Sequence, residues 1–385
     1  MSMLVFFPWL RLEKSVIAGD FTLIAYERGR TPAGPGTVLQ NTLDAVTAPY
    51  LAQAEQSIQH ATLVQVDQEA FTYDLDEHQR GAVFVLSGLL AVCGLSGRKY
   101  FQIGGLDYWS RDNFRLVVQA FADPHGGVAM TTRRRDGSTT NYWSKENYLV
   151  QKPEHILLHS TVRIDERLLE ALLRARDAAT WDRFWESIVS FNLANTDNMD
   201  MAGEIEAVLL SGAFERLLDC NRGKEDDLAE GFTSALVPTN DLAPSAHVRL
   251  SSPDIANRFK KSATIHNMWI RDFFRLRGNL AHGKVTSRYR PVWSLRDHLL
   301  LASFIFPLLL KSVLAKEHLY TLSAEDQFQI DIFEPLACEE HFVPMANRHD
   351  PNAHAWNQVF ERMSQEQMLM RIAEEFQKSR EKQTG

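Results

Sequence analysis

The sequence predicts an α+β protein, in which a mixed, strand-rich N-terminal part precedes an all-helical C-terminal part. Two observations carry this prediction. Before about residue 150, short runs of β-branched and aromatic residues alternate with turn residues. From Ile164 onward, apolar residues recur every three or four positions, which places them on one face of a helix. We put the boundary near the segment QKPEH, which gives domains of residues 1–152 and 153–385.

The first part contains strand and turn signals. The runs MLVFFPWLRL and FTLIAYERG predict two strands, and EKSVIAGD between them predicts a connection. The first run lacks the basic start and the cleavage pattern of a signal peptide, so we interpret it as a strand. Helical patterns follow over residues 39–60 and 75–92, and further strands are expected at ATLVQVD, YFQIG and FRLVVQAFA. Asp136-Gly137, with threonines and aromatics on both sides, predicts a β-hairpin.

The second part is a succession of helical patterns. Residues 165–194, 203–219, 255–283 and 295–314 space their apolar residues at helical intervals, and residues 365–382 predict a charged, exposed helix. Ser251, Ser252 and Asp254 are candidate caps for the third pattern. The apolar run LLLASFIFPLLL has twelve residues, fewer than the roughly twenty that cross a bilayer. We therefore expect a buried core helix, which Pro307 can kink, and no membrane association.

The spacing of the cysteines and the missing cofactor motifs exclude several classes of protein. Cys93, Cys220 and Cys338 lie too far apart for a disulfide framework, which suits a reducing cytoplasm. Phosphate-binding loops, dinucleotide fingerprints and nucleophile elbows are missing from the sequence, so we expect no cofactor. A zinc site is the weaker alternative for Cys338, because its spacing to the nearby histidines matches no zinc knuckle. These histidines are His341, His349 and His354.

Positive charge is concentrated in one segment of an acidic chain. The net charge is −8, yet the segment between Arg249 and Arg290 contains ten Lys or Arg and two acids, Asp254 and Asp272. That segment carries +8, so the rest of the chain carries −16 (−8 minus +8). A basic cluster of this kind suits a phosphate backbone. The alternative is a helix face that acids elsewhere in the fold balance.

The segment RLRGNLAHGK, at the end of the third helical pattern, carries a candidate catalytic motif. Arg277 and His282 are separated by four residues, and Gly283 follows where a helix C-cap glycine belongs. RNA cleavage by the 2′-hydroxyl needs a base near neutral pKa and a group that stabilises the phosphorane. Histidine and arginine supply these two functions without a metal. The alternative is structural, since Arg and His in the last helical turn also stabilise the open carbonyls.

The hypothesis assigns roles to six residues. His282 acts as general base or acid, Arg277 stabilises the phosphorane, and Asn279 positions the substrate. Arg271, Arg275 and Lys284 bind the RNA backbone. Arg275 also competes with Arg277 for the catalytic role, and we assign that role to Arg277. Glu204, Glu206 and Glu215 lie on a preceding helix, from which one of them is expected to pair with Arg277 or Arg275.

The motif and its basic, aromatic-rich helix resemble the Arg-x4-6-His motif of the HEPN superfamily of ribonucleases. The segment FNLANTDNMDMAGEIEAVLLSGAFERLLD is similar to the preceding helix of the ApeA-like branch, and FFPWLRL with GDFTLIAYE resembles the N-terminal domain of that branch. The resemblance covers roughly residues 160–320 and extends more loosely to the rest. In the commonest form asparagine follows the arginine directly, whereas here Gly278 takes that place and Asn279 comes one residue later.

The resemblance implies a HEPN bundle of four or five helices that dimerises with a second copy, so that two motifs face one cleft. It also implies metal-independent cleavage of RNA in antiphage defence, released by a phage-derived trigger. Two alternatives remain. The chain is either a non-catalytic HEPN-like module that binds nucleic acid, a nucleotide or a partner protein, or a toxin silenced by an antitoxin.

Overall fold

The computed structural model describes residues 3–53, 56–66, 76–102, 107–120, 128–133, 136, 139–144, 149–156, 161–220, 224–281, 289–339 and 354–384. Strands fill the N-terminal part and helices the C-terminal part, which confirms the predicted α+β class. Within those residues the strands are β1 (Met3–Phe7), β2 (Val16–Ala18), β3 (Phe21–Glu27), β4 (Tyr50–Gln53), β5 (Gln56–Ser57), β6 (His60–Val66), β7 (Val117–Ala120), β8 (Val128–Arg133), β9 (Thr139–Ser144) and β10 (Val150–Gln151).

The helices begin in the strand-rich part and dominate after residue 165. They are α1 (Val38–Thr47), α2 (Glu77–Leu95), α3 (Glu166–Ala175), α4 (Trp181–Leu193), α5 (Gly203–Leu217), α6 (Glu225–Ala235), α7 (Pro253–Arg258), α8 (Ile265–Ala281), α9 (Leu295–Lys316), α10 (Ala324–Cys338) and α11 (Ala355–Thr384). A 3-10 turn at Arg111–Phe114 precedes β7.

The chain divides into two compact units. The first comprises Met1–Arg98, Leu106–Ala202 and Glu317–Tyr320, and the second comprises Lys99–Gly105, Gly203–Lys316 and Thr321–Gly385. This division differs from the predicted boundary at residue 152. The reason is packing, since α3 lies against α2 and β2, and α4 lies against α2. The first helical pattern after residue 160, which forms α3 and α4, therefore completes the core of the strand-rich unit.

An antiparallel five-stranded sheet, in the order β2-β3-β6-β1-β7, forms the centre of the first unit. β1 lies inside the sheet, where Val5 pairs with Val64 and Phe6 with Leu63. Its last four residues are all fully buried, so both faces of this strand are covered. The helix α1 closes one face, on which Leu43 packs with Phe6. The expected hairpin is confirmed as β8 paired with β9.

Three expectations for this unit are wrong in part. The helix predicted over residues 39–60 ends at Thr47, because Pro49 has no N–H to continue the helical hydrogen bonds, and β4 and β5 follow. The predicted connection EKSVIAGD contains the short strand β2. The predicted strand YFQIG is not a strand over residues 100–102, and its other residues lie outside the described part of the chain.

The second unit is a helical bundle around an aromatic core. The helix α8 packs against α5, α6 and α10, and α9 packs against α5 and α10. The rings in this core come from five helices and lie 5.1–6.2 Å apart, many edge to face, which is the arrangement aromatic pairs favour. They belong to Phe214, Phe232, Trp269, Phe273, Phe306 and Phe333.

Two helices are long and apolar enough to span a membrane by length and composition. They are α2, of which 56% of the apolar window is buried, and α9, of which 78% is buried. The burial of α9 confirms the predicted core helix, and Pro307 lies inside it without ending it. Buried core helices share this length and composition, so within the described residues these two helices are weak evidence for a membrane span.

A buried ion pair joins α9 to the start of α10. Lys311 Nζ donates to Asp326 Oδ1 at 2.7 Å, and Asp326 also accepts from Ser323, with which it forms a capping box. Burial would raise the pKa of Asp326, but the Lys311 ammonium and the Ser323 donors outweigh it and hold the pKa below its ordinary value. The pair therefore stabilises the charged form of this carboxyl group.

Candidate functional site

The helix α8 carries the arginine cluster. The third helical pattern is interrupted in the structure, since α7 ends at Arg258 and α8 begins at Ile265. Its apolar residues face the aromatic core, which leaves arginines on its flanks. The helix ends at Ala281, directly before His282. Both His282 and Lys284 lie outside the described residues, so their predicted roles stay predictions.

Arg277 is held by side chains of α5. Its guanidinium group forms an ion pair with Glu215, and its Nε lies 3.3 Å from Ser211 Oγ. Ser211 also donates to Glu215 at 3.1 Å, and the Phe274 ring lies 5.1 Å from the guanidinium carbon. This confirms the expectation that a glutamate of the preceding helix pairs with Arg277. About a quarter (24%) of the Arg277 side chain stays exposed, so the group is both fixed and accessible.

Asn279 forms a bond within its own helix. Its Nδ2 donates to the Arg275 carbonyl at 2.8 Å, which is a side-chain to backbone contact one turn earlier. This contact orients the side chain on the partly buried surface of the last turn. The role of Asn279 in positioning a substrate stays a prediction.

Arg275 points to a different helix from Arg277. Two residues apart on a helix correspond to about 200° around its axis, so the two side chains leave on different sides. Arg275 meets α6, where its Nε and Nη2 donate to the two oxygens of Glu225 at 2.8 and 2.7 Å. The Phe259 ring lies 4.7 Å from its guanidinium carbon. The hydrogen bond to Glu225 raises the pKa of Arg275.

Arg271 lies one turn earlier and is buried, with 8% of its side chain exposed. Its Nη1 donates to Glu225 at 3.1 Å and to Asp226 at 2.5 Å, and its Nε donates to Asn267 at 2.7 Å. The bonds from Arg271 and Lys261 lower the pKa of Asp226. Glu225 and Asp226 were not predicted to join the site. The only sequence signal for them is the run of acids at the start of α6.

These ion pairs support the alternative that acids elsewhere in the fold balance the basic helix face. They also shape a cavity of about 620 Å³ between α6, the segment after α7 and α8. Six cations and three acids line it, a balance of +3. The lining residues are Lys224, Glu225, Asp226, Asp227, Arg258, Phe259, Lys260, Lys261, Arg271 and Arg275. Binding of RNA by Arg271 and Arg275 stays a prediction, since both guanidinium groups are paired.

A buried carboxylate on α8 anchors the chain that follows the motif. Asp272 Oδ2 accepts from Val292 N at 2.8 Å, Trp293 N at 3.2 Å and His298 Nε2 at 3.0 Å. The Tyr289 hydroxyl donates to Oδ1. Burial, reinforced by Asp272, raises the pKa of Tyr289 far above its ordinary value, so the phenol stays a donor.

His266, predicted to be a packing residue, is fully buried on α8. Its Nδ1 lies 2.9 Å from Glu334 Oε1, and Phe333 packs on its ring. This confirms a structural position. The segment N-x-D that precedes α5 also has structural contacts, since Asn195 and Asp197 both meet Arg98 in the first unit.

The alternative zinc site falls largely outside the described chain. His341 and His349 lie outside it, and His354 stacks on Phe101 with ring centres 3.8 Å apart. Burial raises the pKa of the Cys338 thiol to about 12, which opposes the thiolate that zinc requires. Within the described residues, groups of three or more metal-ligating side chains are not found.

Three comparisons with known proteins found no match to this chain, neither a protein-family model, nor a curated protein, nor a solved structure. The resemblance to the ApeA-like branch of the HEPN superfamily therefore stays a prediction from the motif and its flanking segments.

Proposed function

We propose that this protein is a metal-independent endoribonuclease that cleaves RNA through attack of the 2′-hydroxyl on the adjacent phosphorus. The observation that supports it best is the state of Arg277. Its guanidinium group is oriented by Glu215 and Ser211, stays partly exposed, and lies on the last turn and a half of α8, before His282. A positioned guanidinium costs little reorganisation when a phosphorane forms beside it.

The proposed reaction needs one proton carrier and one cation. His282 takes the 2′-hydroxyl proton and later supplies a proton to the leaving 5′-oxygen, which gives a 2′,3′-cyclic phosphate and a 5′-hydroxyl. Arg277 binds two equatorial oxygens of the phosphorane, which a bidentate guanidinium does better than lysine. Glu215 positions Arg277, and Asn279 positions the ribose or phosphate.

The charged cavity beside α6 is the proposed path of the RNA backbone. Its net charge of +3 attracts phosphates. Without RNA, Glu225 and Asp226 form ion pairs with Arg271 and Arg275. Phosphates compete with these carboxylates for Arg271 and Arg275, and Lys284 adds a further contact. Affinity should therefore fall steeply as salt rises.

The proposed setting is the cytoplasm, in antiphage defence. A homodimer through the HEPN domain would bring two motifs to one cleft, so that residues about 140° apart around one helix need not form the site alone. A phage-derived trigger or the loss of an antitoxin would then release the activity.

The test is cleavage of total RNA in EDTA by the wild type, Arg277→Ala, Arg277→Lys and His282→Ala. Arg296→Ala is the matched control, because this arginine is exposed on α9 and does not line the charged cavity. We expect cleavage by the wild type and the control, losses of at least about a hundredfold in Arg277→Ala and His282→Ala, and partial activity in Arg277→Lys. The fragments should carry cyclic-phosphate ends. Equal cleavage by all five proteins would overturn the proposal.

The second candidate is a non-catalytic module that binds nucleic acid, a nucleotide or a partner protein. The pairing of Arg271 and Arg275 with Glu225 favours it, because ion pairs of this kind also form in purely structural sites. Such a module would bind RNA without cutting it, and His282→Ala would leave binding unchanged. For the toxin alternative, expression should arrest growth unless Arg277 or His282 is replaced.

A further inference from the structure

A second cavity lies in the first unit, remote in sequence from the motif. It has a volume of about 350 Å³ and lies between α2, α4 and the 3-10 turn at Arg111–Phe114. Cavities of roughly 300 to 1,000 Å³ bind small ligands in proteins, and this one is at the lower end of that range. It therefore suits a ligand the size of one nucleotide.

Aromatic rings form one side of this cavity. The Phe84 side chain is 60% exposed although it is large and apolar, and Trp185 of α4, which also lines the cavity, is stacked on Trp181 with ring centres 6.0 Å apart. Trp185 approaches α2 closely at Gly88, where a Cβ atom would lie 2.7 Å from the indole ring. Glycine at this position leaves the indole in place as a flat wall.

Two arginines supply the charge. Arg111 and Arg115 both line the cavity, and its described lining contains no acidic side chain. Arg111 is partly exposed, with Asp112 3.5 Å away outside the lining, while Arg115 is exposed with its guanidinium carbon 5.8 Å from the Trp9 ring. The lining side chains carry +2, and the ion pair of Arg111 with Asp112 reduces the local balance to +1, which still attracts a phosphate monoester.

A polar atom in the wall lacks a partner. Asn192 lines the cavity and is buried, and its Nδ2 donates to the Gly88 carbonyl at 2.9 Å. That bond fixes the amide orientation, so the remaining atom, Oδ1, is an acceptor. It is buried without a hydrogen bond. Oδ1 has almost no surface open to the cavity, so Asn192 contributes to the wall through its bond to α2.

We propose that this cavity binds a free nucleoside monophosphate. The base stacks on the Phe84 and Trp185 rings, and the phosphate meets Arg111 and Arg115. Bases stack on aromatic side chains in many nucleic-acid sites. The proposal stands on the first unit alone and does not rest on the proposed ribonuclease activity.

The test is isothermal titration calorimetry on the full chain with AMP, GMP, CMP and UMP, and with adenosine and inorganic phosphate. Variants Phe84→Ser and Arg115→Ala change exposed side chains, so they should fold, which circular dichroism would verify. Arg80→Ala is the matched control, because Arg80 is exposed on α2 outside the cavity. We expect one site for at least one nucleotide, about tenfold or more weaker in both cavity variants and unchanged in the control.

Four results with nucleotides, adenosine or phosphate would overturn the proposal. They are no binding of any nucleotide at millimolar concentration, undiminished binding in both cavity variants, phosphate binding as tightly as the nucleotides, and adenosine binding as tightly as AMP. A pentaribonucleotide that displaces the mononucleotide at lower concentration would also overturn it, because the cavity would then be part of an RNA site.

Discussion

Replacing Asp272 with asparagine should destabilise the helical unit by about 3 kcal/mol. In the wild type three donors converge on Oδ2, at 2.8, 3.2 and 3.0 Å, in a site without solvent exposure. Asparagine has nearly the same shape and can offer its oxygen to the same three donors. It lacks the charge, and its amide nitrogen, which takes the place of Oδ1, cannot accept from the Tyr289 hydroxyl, so the loss of that bond adds to the effect. Hydrogen bonds to a charged acceptor contribute roughly 1 kcal/mol more than neutral ones, and three of them give about 3 kcal/mol.

Hydrogen exchange measures this change where it occurs. If α8 and α9 exchange through opening of the helical unit, 3 kcal/mol corresponds to exchange more than about a hundredfold faster. The matched control is Asp254→Asn, since Asp254 is 87% exposed and its pair with Arg258 spans 3.7 Å. That change should alter exchange by about twofold at most. Equal protection of α8 in Asp272→Asn and the wild type would refute the argument.

Three further changes test other contacts. Glu225→Gln removes the acidic partner of two arginines, so RNA binding should tighten and depend more steeply on salt. The control is Glu230→Gln, the same charge change farther along α6, which should change RNA affinity and its salt dependence less. Filter binding across a salt series measures both, and equal effects of the two variants would contradict the assigned pairing. Gly94→Ala should lower the melting temperature by overpacking, because its Cβ would lie 2.2 Å from a buried phenyl ring. Gly81→Ala on the same helix meets nothing within 4 Å and should raise it slightly, as calorimetry would show. Asp326→Asn should flatten the loss of stability in acid. The wild-type pKa lies below 3.8, so the contribution of the carboxylate is full at neutral pH and lost as pH falls through the lowered value. Urea unfolding at several pH values measures this. If the free energy of unfolding fell equally with pH in acid for the wild type and the variant, the argument would be contradicted.

The spacing of apolar residues predicts the long helices well, because each of these helices buries either one face or its whole surface. The helix α9 was predicted over residues 295–314 and runs over Leu295–Lys316. The end of α1 was missed although Pro49 marks it. The helix α10 was also missed, yet Ser323 and Asp326 form the capping box that a sequence pattern can show. Both features therefore have local sequence signals, a proline after the end of α1 and a capping box at the start of α10.

The site shows a different limit. Pairing of Arg277 with a glutamate on the preceding helix followed from helix packing, and Glu215 fills that place. The contact of Arg275 with Glu225 joins residues fifty positions apart and depends on how α6 lies beside α8. Charge composition cannot supply that geometry. It predicted a basic surface, whereas tertiary contacts pair the central arginines of α8.

The pairing of Arg275 and Arg277 with two different helices has a consequence for the length of α8. Each guanidinium group is tied to a separate neighbour, Glu225 on one side and Glu215 on the other. Substitution of either arginine alone would leave the ion pair of the other intact. One extra residue inserted earlier in α8 would turn both arginines by about 100° and break both ties at once. The helix should therefore accept exchanges of residue far more readily than insertions or deletions.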